Sequence, residues 1–183
     1  MADSLEVIDD MGNVLRTATR KEIHENGLLH REVHVFLYTP EGNVIFQKRD
    51  EKNGDFPNLL DVAIGGHVDV GETYEQAAIR EAEEEAGLKI SAQDLELVEL
   101  LRYSSANQFK IVNNVIRAEY IMRYNGKLKD LRVEEGKASC FEEWPVDKMG
   151  HLSEAEKQKF LPYILTADGQ RVYNAIKERV SKK

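Results

Sequence analysis

The chain has 183 residues and a formal net charge of −8. A length of this kind suits one ordinary domain that buries roughly 70% of its unfolded surface, so folding needs neither a disulfide nor a structural metal. The acidity argues against duplex nucleic acid and anionic membranes as partners, and no apolar run approaches the roughly 18 residues of a membrane span.

The first segment, 5–15, predicts a hairpin turning at Met11-Gly12-Asn13. Thr19 followed by Glu22 is a capping-box pattern, so a short helix is expected from Arg20 toward His24. Two strands are expected at 33–38 and 44–47, joined at Pro40-Glu41-Gly42. A further short strand, 60–64, is expected to end at the Gly65-Gly66 pair. Thr73 and Gln76 then form a second capping box, good helix formers follow, and Gly87 marks the stop. Strands are expected near 97–103, 114–122 and 138–144, and a helical tail over 153–180, broken near Pro162 and again near Asp168-Gly169. The pattern predicts a mixed α/β class, with a sheet core flanked by helices. The expected organisation is a single domain over 1–183, with the hairpin and short helix (1–30) and the helical segment (153–183) at its ends. The single cysteine, Cys140, rules out an internal disulfide and fits a reducing cytoplasm, and the acidic start lacks the pattern of a secretory signal.

The helix after Thr73 carries the chemistry. Glu81, Glu84 and Glu85 stand at i, i+3 and i+4 and so share a face, while Ala78, Ile79, Ala82 and Ala86 fall on another that can pack on a sheet. Arg80, beside Glu81 and one turn before Glu84, is placed to pin a carboxylate. Like charges at this spacing cost about 0.2–0.5 kcal/mol per pair, and a divalent cation removes that cost. Oxygen-only ligands suit Mg²⁺ or Mn²⁺. Such a cation would also let an acidic protein hold a phosphate compound. Taken alone, the helix fits either a solvated surface helix or a ligand set; the residues around it decide.

Gly66, Glu72, Arg80, Glu81, Glu84, Glu85, Gly87 and Leu88 match the pattern G-x5-E-x7-R-E-U-x-E-E-x-G-U, with Ala82 at a position usually held by a bulkier aliphatic residue. The chain therefore resembles the Nudix hydrolases. The resemblance implies a Nudix fold, a mixed β-sheet sandwiched between α-helices, and a hydrolase cleaving a phosphoanhydride bond with Mg²⁺ or Mn²⁺. It implies that Glu81, Glu84 and Glu85 hold the metal, helped by a backbone carbonyl at Gly65 or Gly66. It further implies that Glu81 doubles as general base, that Arg80 orients it, and that Glu72 supports the turn into the helix and lies in the substrate-binding region. The two glycines are expected to form a tight loop, where positive φ is an alternative reason for them.

A looser resemblance covers the front half. The run from Lys21 to Arg31, then Gln47-Lys48-Arg49, then 60–67, is similar to the Nudix branch that includes type I isopentenyl-diphosphate isomerase. In that enzyme, histidines near the positions of His24, His30 and His67 help bind a metal, and a cysteine stands beside the box glycine. Gly65 takes that place here, which removes the acid–base partner of isomerisation. The expectation is a hydrolase on an isomerase-like scaffold, acting on a small-molecule diphosphate, a nucleoside diphosphate or derivative first. The alternatives are the isomerase itself or a nucleotide-sensing domain. His24 and His30 are either packing residues or a second metal site. His67 and Arg49 are expected contacts for substrate. Glu119 is a further metal-ligand candidate from a central strand. Tyr38, Tyr103, Phe109 and Trp144 are each either base-stacking or packing residues. The chain is expected to act as a monomer or homodimer.

Overall fold

The computed structural model describes residues 4–52, 56–106 and 112–182. Strands β1 (Ser4–Ile8) and β2 (Val14–Thr19) form the hairpin, closed by the Asp9 side chain, which accepts from the backbone N–H of Met11 and Asn13 at 2.9 Å each. Helix α1 (Arg20–Asn26) follows at once, its first turn capped by Thr19 Oγ1, which accepts from Glu22 N at 3.1 Å. Only this half of the capping box forms, because the Glu22 side chain pairs with Arg16. Leu5, Val7, Ala18 and Ile23 make a small core of their own beneath the hairpin and α1.

The main sheet contains β3 (His30–Tyr38), β4 (Asn43–Arg49), β5 (Leu60–Val62), β6 (Ile64–His67), β7 (Glu96–Ala106), β8 (Val112–Arg123) and β9 (Ala138–Pro145). β3 runs parallel to β8 along its whole length, and the other pairings are antiparallel. β3 and β4 pair only at Leu37↔Ile45 and Tyr38↔Val44 and then diverge. The gap is filled by β5 along β4 and by β6 along β3. This fork corrects the expectation of one strand ending at the glycines. The strand breaks earlier, at Ala63, and Gly65 and Gly66 lie inside β6, paired with His34 and Val33.

Side chains of alternate strand residues face opposite ways, and each face of the sheet buries one apolar set. Val33, Val35, Leu37, Ala118, Tyr120 and Met122 pack under helix α2 (Tyr74–Ala86). The helix presents Ala77, Ala78, Ala82 and Ala86, small residues that let its backbone lie close to the sheet. Phe36, Tyr38, Val44, Phe46 and Ile121 pack on the other face against Ile164 and against Val172, Tyr173 and Ile176 of helix α4 (Ala167–Ser181). Between β9 and α4 lies a short α-helix, α3 (Glu154–Lys157), with 3-10 turns at Val146–Gly150 and Pro162–Leu165 on either side. The mixed sheet between helices is as expected, but the tail is not broken at Asp168-Gly169. Both residues lie in the first turn of α4, where the aspartate complements the positive end of the helix. Among the described residues, no helix is long and apolar enough to cross a membrane.

Candidate active site

The fork brings the β6 glycines against the middle of α2. A Cβ built on Gly66 would lie 2.1 Å from Glu81 Oε1, so only glycine leaves room for that carboxylate. Neither Gly65 nor Gly66 has positive φ, so the requirement is space and not backbone conformation, and the expected tight loop is a strand.

Helix α2 is fixed at both ends. Thr73 and Gln76 complete a capping box, and Gly87 takes the left-handed conformation with φ +67°, its N–H donating to Glu83 O at 3.1 Å. Between these stops the helical repeat sets the acids. Glu81 and Glu85 are buried, whereas the Glu84 side chain is about half exposed. Arg80 ties the group together. Its Nη1 donates to Glu81 Oε1 at 2.7 Å and lies 3.5 Å from Glu84 Oε2. Its Nε and Nη2 fork onto the two oxygens of Glu72, at 3.0 and 2.9 Å, and Nη2 also reaches His67 O at 2.9 Å. Glu72 Oε2 further accepts from Asp69 N at 3.0 Å. The Arg80 hydrogen bonds hold the Glu72 carboxyl below its usual range, against a smaller opposing push from burial. Both oxygens of Glu72 are thus engaged within the protein.

Glu85 is held from three sides. Gln47 of β4 donates to Oε2 at 3.1 Å and Gly65 N donates to the same oxygen at 3.2 Å. The Lys137 ammonium contacts Oε1 and also donates to Gly65 O at 3.0 Å. Lys137 comes from the turn before β9, and that turn delivers Glu134 as well. Burial first, and then the nearby charges of Glu81 and Glu84, raise the Glu134 carboxyl above its ordinary range. Gln47, Glu134 and Lys137 were missed as site residues by sequence reasoning. They carry no periodic signal and meet α2 only because β4, β6 and β9 converge there.

A second cluster adjoins the first. His24, His30 and His67 each present a ring nitrogen, all within 4.8 Å of one another. Nδ1 of His30 lies 2.9 Å from Leu28 O and Nδ1 of His24 lies 3.3 Å from Val112 O. A carbonyl only accepts, so these Nδ1 atoms carry the protons and the Nε2 lone pairs point elsewhere. Nε2 of His30 and of His67 are buried without a hydrogen-bond partner. Burial lowers His30, and burial pulls His67 down to about 3 despite the opposing charge of Glu32. The His30 and His67 imidazoles are thus neutral near pH 7, the form that binds a metal.

The remaining candidates scatter. Arg49 Nη1 pairs with Asp61 at 2.8 Å. Glu119 projects from the face of β8 opposite α2, toward Phe36 and Tyr163, and pairs there with His34 at 3.4 Å and Arg117 at 3.7 Å. It is not gathered with the box acids, and its Oε2, facing His34, is buried without a hydrogen bond. Tyr103 and Tyr163 flank the Arg117 guanidinium at 4.4 and 5.1 Å. Tyr38 is core, and Trp144 packs on Phe160. Phe109 lies outside the described residues. Cys140 is exposed on β9, opposite Lys48.

Residues 28–164 match the NUDIX domain family. An uncharacterised Nudix hydrolase of Streptomyces coelicolor is 41% identical over 83 residues, 45% of this chain and 46% of that protein. One from Nostoc sp. is 34% identical over 125 residues, 66% of this chain and 73% of its own length. An isopentenyl-diphosphate Delta-isomerase of Photorhabdus laumondii is 32% identical over 121 residues, 66% of this chain and 64% of its own length. The matched stretch thus spans less than two thirds of the Streptomyces and Photorhabdus relatives. Among solved structures, a Deinococcus radiodurans protein aligns with a TM-score of 0.66 at 22% identity, covering 94% of this chain and 98% of that one. The NUDIX domain of Shewanella oneidensis NrtR, solved with ADP-ribose, aligns at 0.56 and 16% identity, covering 89% and 99%. With a family match across most of its length, and with Glu81 of the box seated in the space that Gly66 leaves open, this chain belongs to the Nudix family.

Proposed function

We propose that the protein is a Mg²⁺- or Mn²⁺-dependent pyrophosphohydrolase that cleaves the phosphoanhydride bond of a small diphosphate compound, with nucleoside diphosphates or their derivatives as the first class. Its Nudix hydrolase relatives support the enzyme class. The observation that carries the reading is the seating of Glu81 against Gly66, with Arg80 joining Glu81, Glu84 and Glu72. The residues fit a hard cation: Glu81, Glu84 and Glu85 offer carboxylate oxygens, and the Gly65 carbonyl lies beside Glu85. Gly66 serves by making room. Bound there, the cation would neutralise charge on the phosphate oxygens and acidify an attacking water.

The chain's own groups do the rest. Arg80 holds Oε1 of Glu81, which leaves Oε2 to take a proton from that water. Glu134, with its raised proton affinity, is the second carboxylate suited to that task. Arg49 and Lys137 lie near each other and supply positive charge for a diphosphate. His24, His30 and His67 support a second cation site, whose imidazoles favour Mn²⁺ or Zn²⁺ over Mg²⁺. We read the whole chain as one domain, with the hairpin and the helical tail as its flanks.

The test is a panel of diphosphates, ADP-ribose and isopentenyl diphosphate included, with and without Mg²⁺, followed by product identification. Metal-dependent release of a monophosphate from at least one member is expected. Silence across the panel alongside tight ligand binding would favour a sensor. The isomerase-like relative makes isomerisation the second reading. Gly65 supplies no thiol, so no solvent deuterium should enter isopentenyl diphosphate, and its incorporation would overturn the hydrolase assignment.

A further inference from the structure

Glu85 has a wholly buried side chain, and its two oxygens are held differently. Oε2 accepts from Gln47 Nε2 and Gly65 N, neutral donors fixed in β4 and β6. Oε1 faces the ammonium of Lys137, and the same ammonium donates to the Gly65 carbonyl at 3.0 Å. A buried carboxylate needs a counter-charge, and Lys137 supplies it. Yet a carboxylate oxygen beside a backbone carbonyl is also the ligand pair that a hard divalent cation takes. An ammonium and a divalent cation cannot share those two oxygens, because at such separations in a poorly screened site they repel strongly.

We propose that Lys137 is a built-in competitor for the divalent cation: its ammonium and the ion take turns on Glu85 Oε1 and the Gly65 carbonyl, so that Lys137 sets the cation affinity of the site. The proposal rests on the reading of the box acids as a cation site. Its mechanics follow from where Lys137 is anchored. The residue belongs neither to α2 nor to β6, but to the turn ahead of β9. Its backbone is pinned there, the N–H donating to Glu134 O at 3.2 Å and the carbonyl accepting from Asp50 N at 3.0 Å. The four-carbon stem is partly exposed and carries a rotatable head, so the ammonium can leave without the turn moving. Glu85 then keeps a positive partner at all times, first the lysine and then the ion, and never stands as a bare buried charge.

The experiment measures Mn²⁺ binding to the full chain after chelator treatment, by the electron paramagnetic resonance of free Mn²⁺, for wild type, Lys137→Met and Lys137→Arg, each carrying His30→Gln so that the histidine cluster adds no second Mn²⁺ site. Lys137→Met should bind Mn²⁺ about tenfold more tightly than wild type. Lys137→Arg, which keeps the charge, should bind no more tightly than wild type. In chelator, Lys137→Met should melt at a lower temperature than wild type, and saturating Mn²⁺ should close that gap. A second arm uses wild type alone: Lys137 should resist reductive methylation in chelator and become reactive in saturating Mn²⁺, read by mass spectrometry. Equal or weaker Mn²⁺ binding by a folded Lys137→Met, or methylation indifferent to Mn²⁺, overturns the proposal and leaves the cation site standing. No Mn²⁺ binding by wild type or variants removes the cation site and the proposal with it.

Discussion

Glu84 and Glu85 are adjacent in the chain but sit in different surroundings, and the two glutamine substitutions should separate accordingly. Glu84 is about half exposed, and its ion pair with Arg80 is of the surface kind. Glu84→Gln should leave the melting temperature almost unchanged while cutting turnover roughly a hundredfold or more. Glu85 is buried against Gln47, Gly65 and Lys137. Glu85→Gln should therefore lose activity and also about 1–3 kcal/mol of stability, because it leaves the lysine ammonium without its anion. Calorimetry beside steady-state kinetics makes the comparison. Full turnover in both variants would remove the acids from the mechanism. Gly66→Ala tests the other half of the contact. Its methyl group would meet Glu81 Oε1, so Glu81 must move, and activity should collapse even though the backbone there has no positive φ to forbid alanine. An active Gly66→Ala enzyme would show that Glu81 is needed elsewhere than where it sits.

At the scale of elements, α2 was almost wholly legible in the sequence. Its caps, its alanine face and its acids all lie within one continuous stretch, so local physics decides them. Two substitutions measure that local contribution. Thr73→Ala removes the cap and should cost about 1 kcal/mol in urea unfolding. Gly87→Ala forces a side chain into φ +67° and toward Arg132, and should cost at least about 1–2 kcal/mol. No loss in either would mean that tertiary packing alone holds the helix. The glycine pair, expected in a tight loop, lies in a strand without positive φ. Its role depends on the divergence of β3 and β4, a non-local event that lets β5 and β6 enter the fork. No window of sequence around Gly65 contains that information. The break placed at Asp168-Gly169 failed similarly, since packing against Ile164 carries α4 through a residue with poor helix propensity.

Across the whole molecule, a buried ionic layer lies on the sheet face away from α2. Arg117 pairs with Glu32 at 2.6 Å and with Glu119, between two tyrosine rings. Burial alone would raise Glu32, but Arg117 prevails and holds it at about 2, against an ordinary value near 4.5. A folded pKa below the unfolded one stabilises above the unfolded value and is lost as pH falls through the folded one. Glu32 should thus contribute about 3 kcal/mol above pH 4.5, lost progressively toward pH 2. His67, held at about 3, acts in the same direction from pH 6.5 downward, because the unfolded chain binds the proton that the folded chain refuses. Glu32→Gln should lower stability at neutral pH and flatten the dependence between pH 4.5 and 2, measured by urea midpoints across that range. An unchanged slope would show that Glu32 is not held down by Arg117.

The sequence by itself determined what short-range geometry governs: the box helix and its stops, the three acids with their arginine, the hairpin, and the family to which they point. Only the tertiary structure decided that Glu81 needs a glycine across from it, that Lys137 meets Glu85 from 52 positions away, and that three histidines from α1, β3 and β6 form one cluster. It also decided that Glu119 faces away from the box acids and toward Arg117. The physical reason is one of range. Helix period and caps act over a few residues, whereas these contacts depend on which strands pair and where the sheet forks, and that is settled only by burying both faces of the sheet at once.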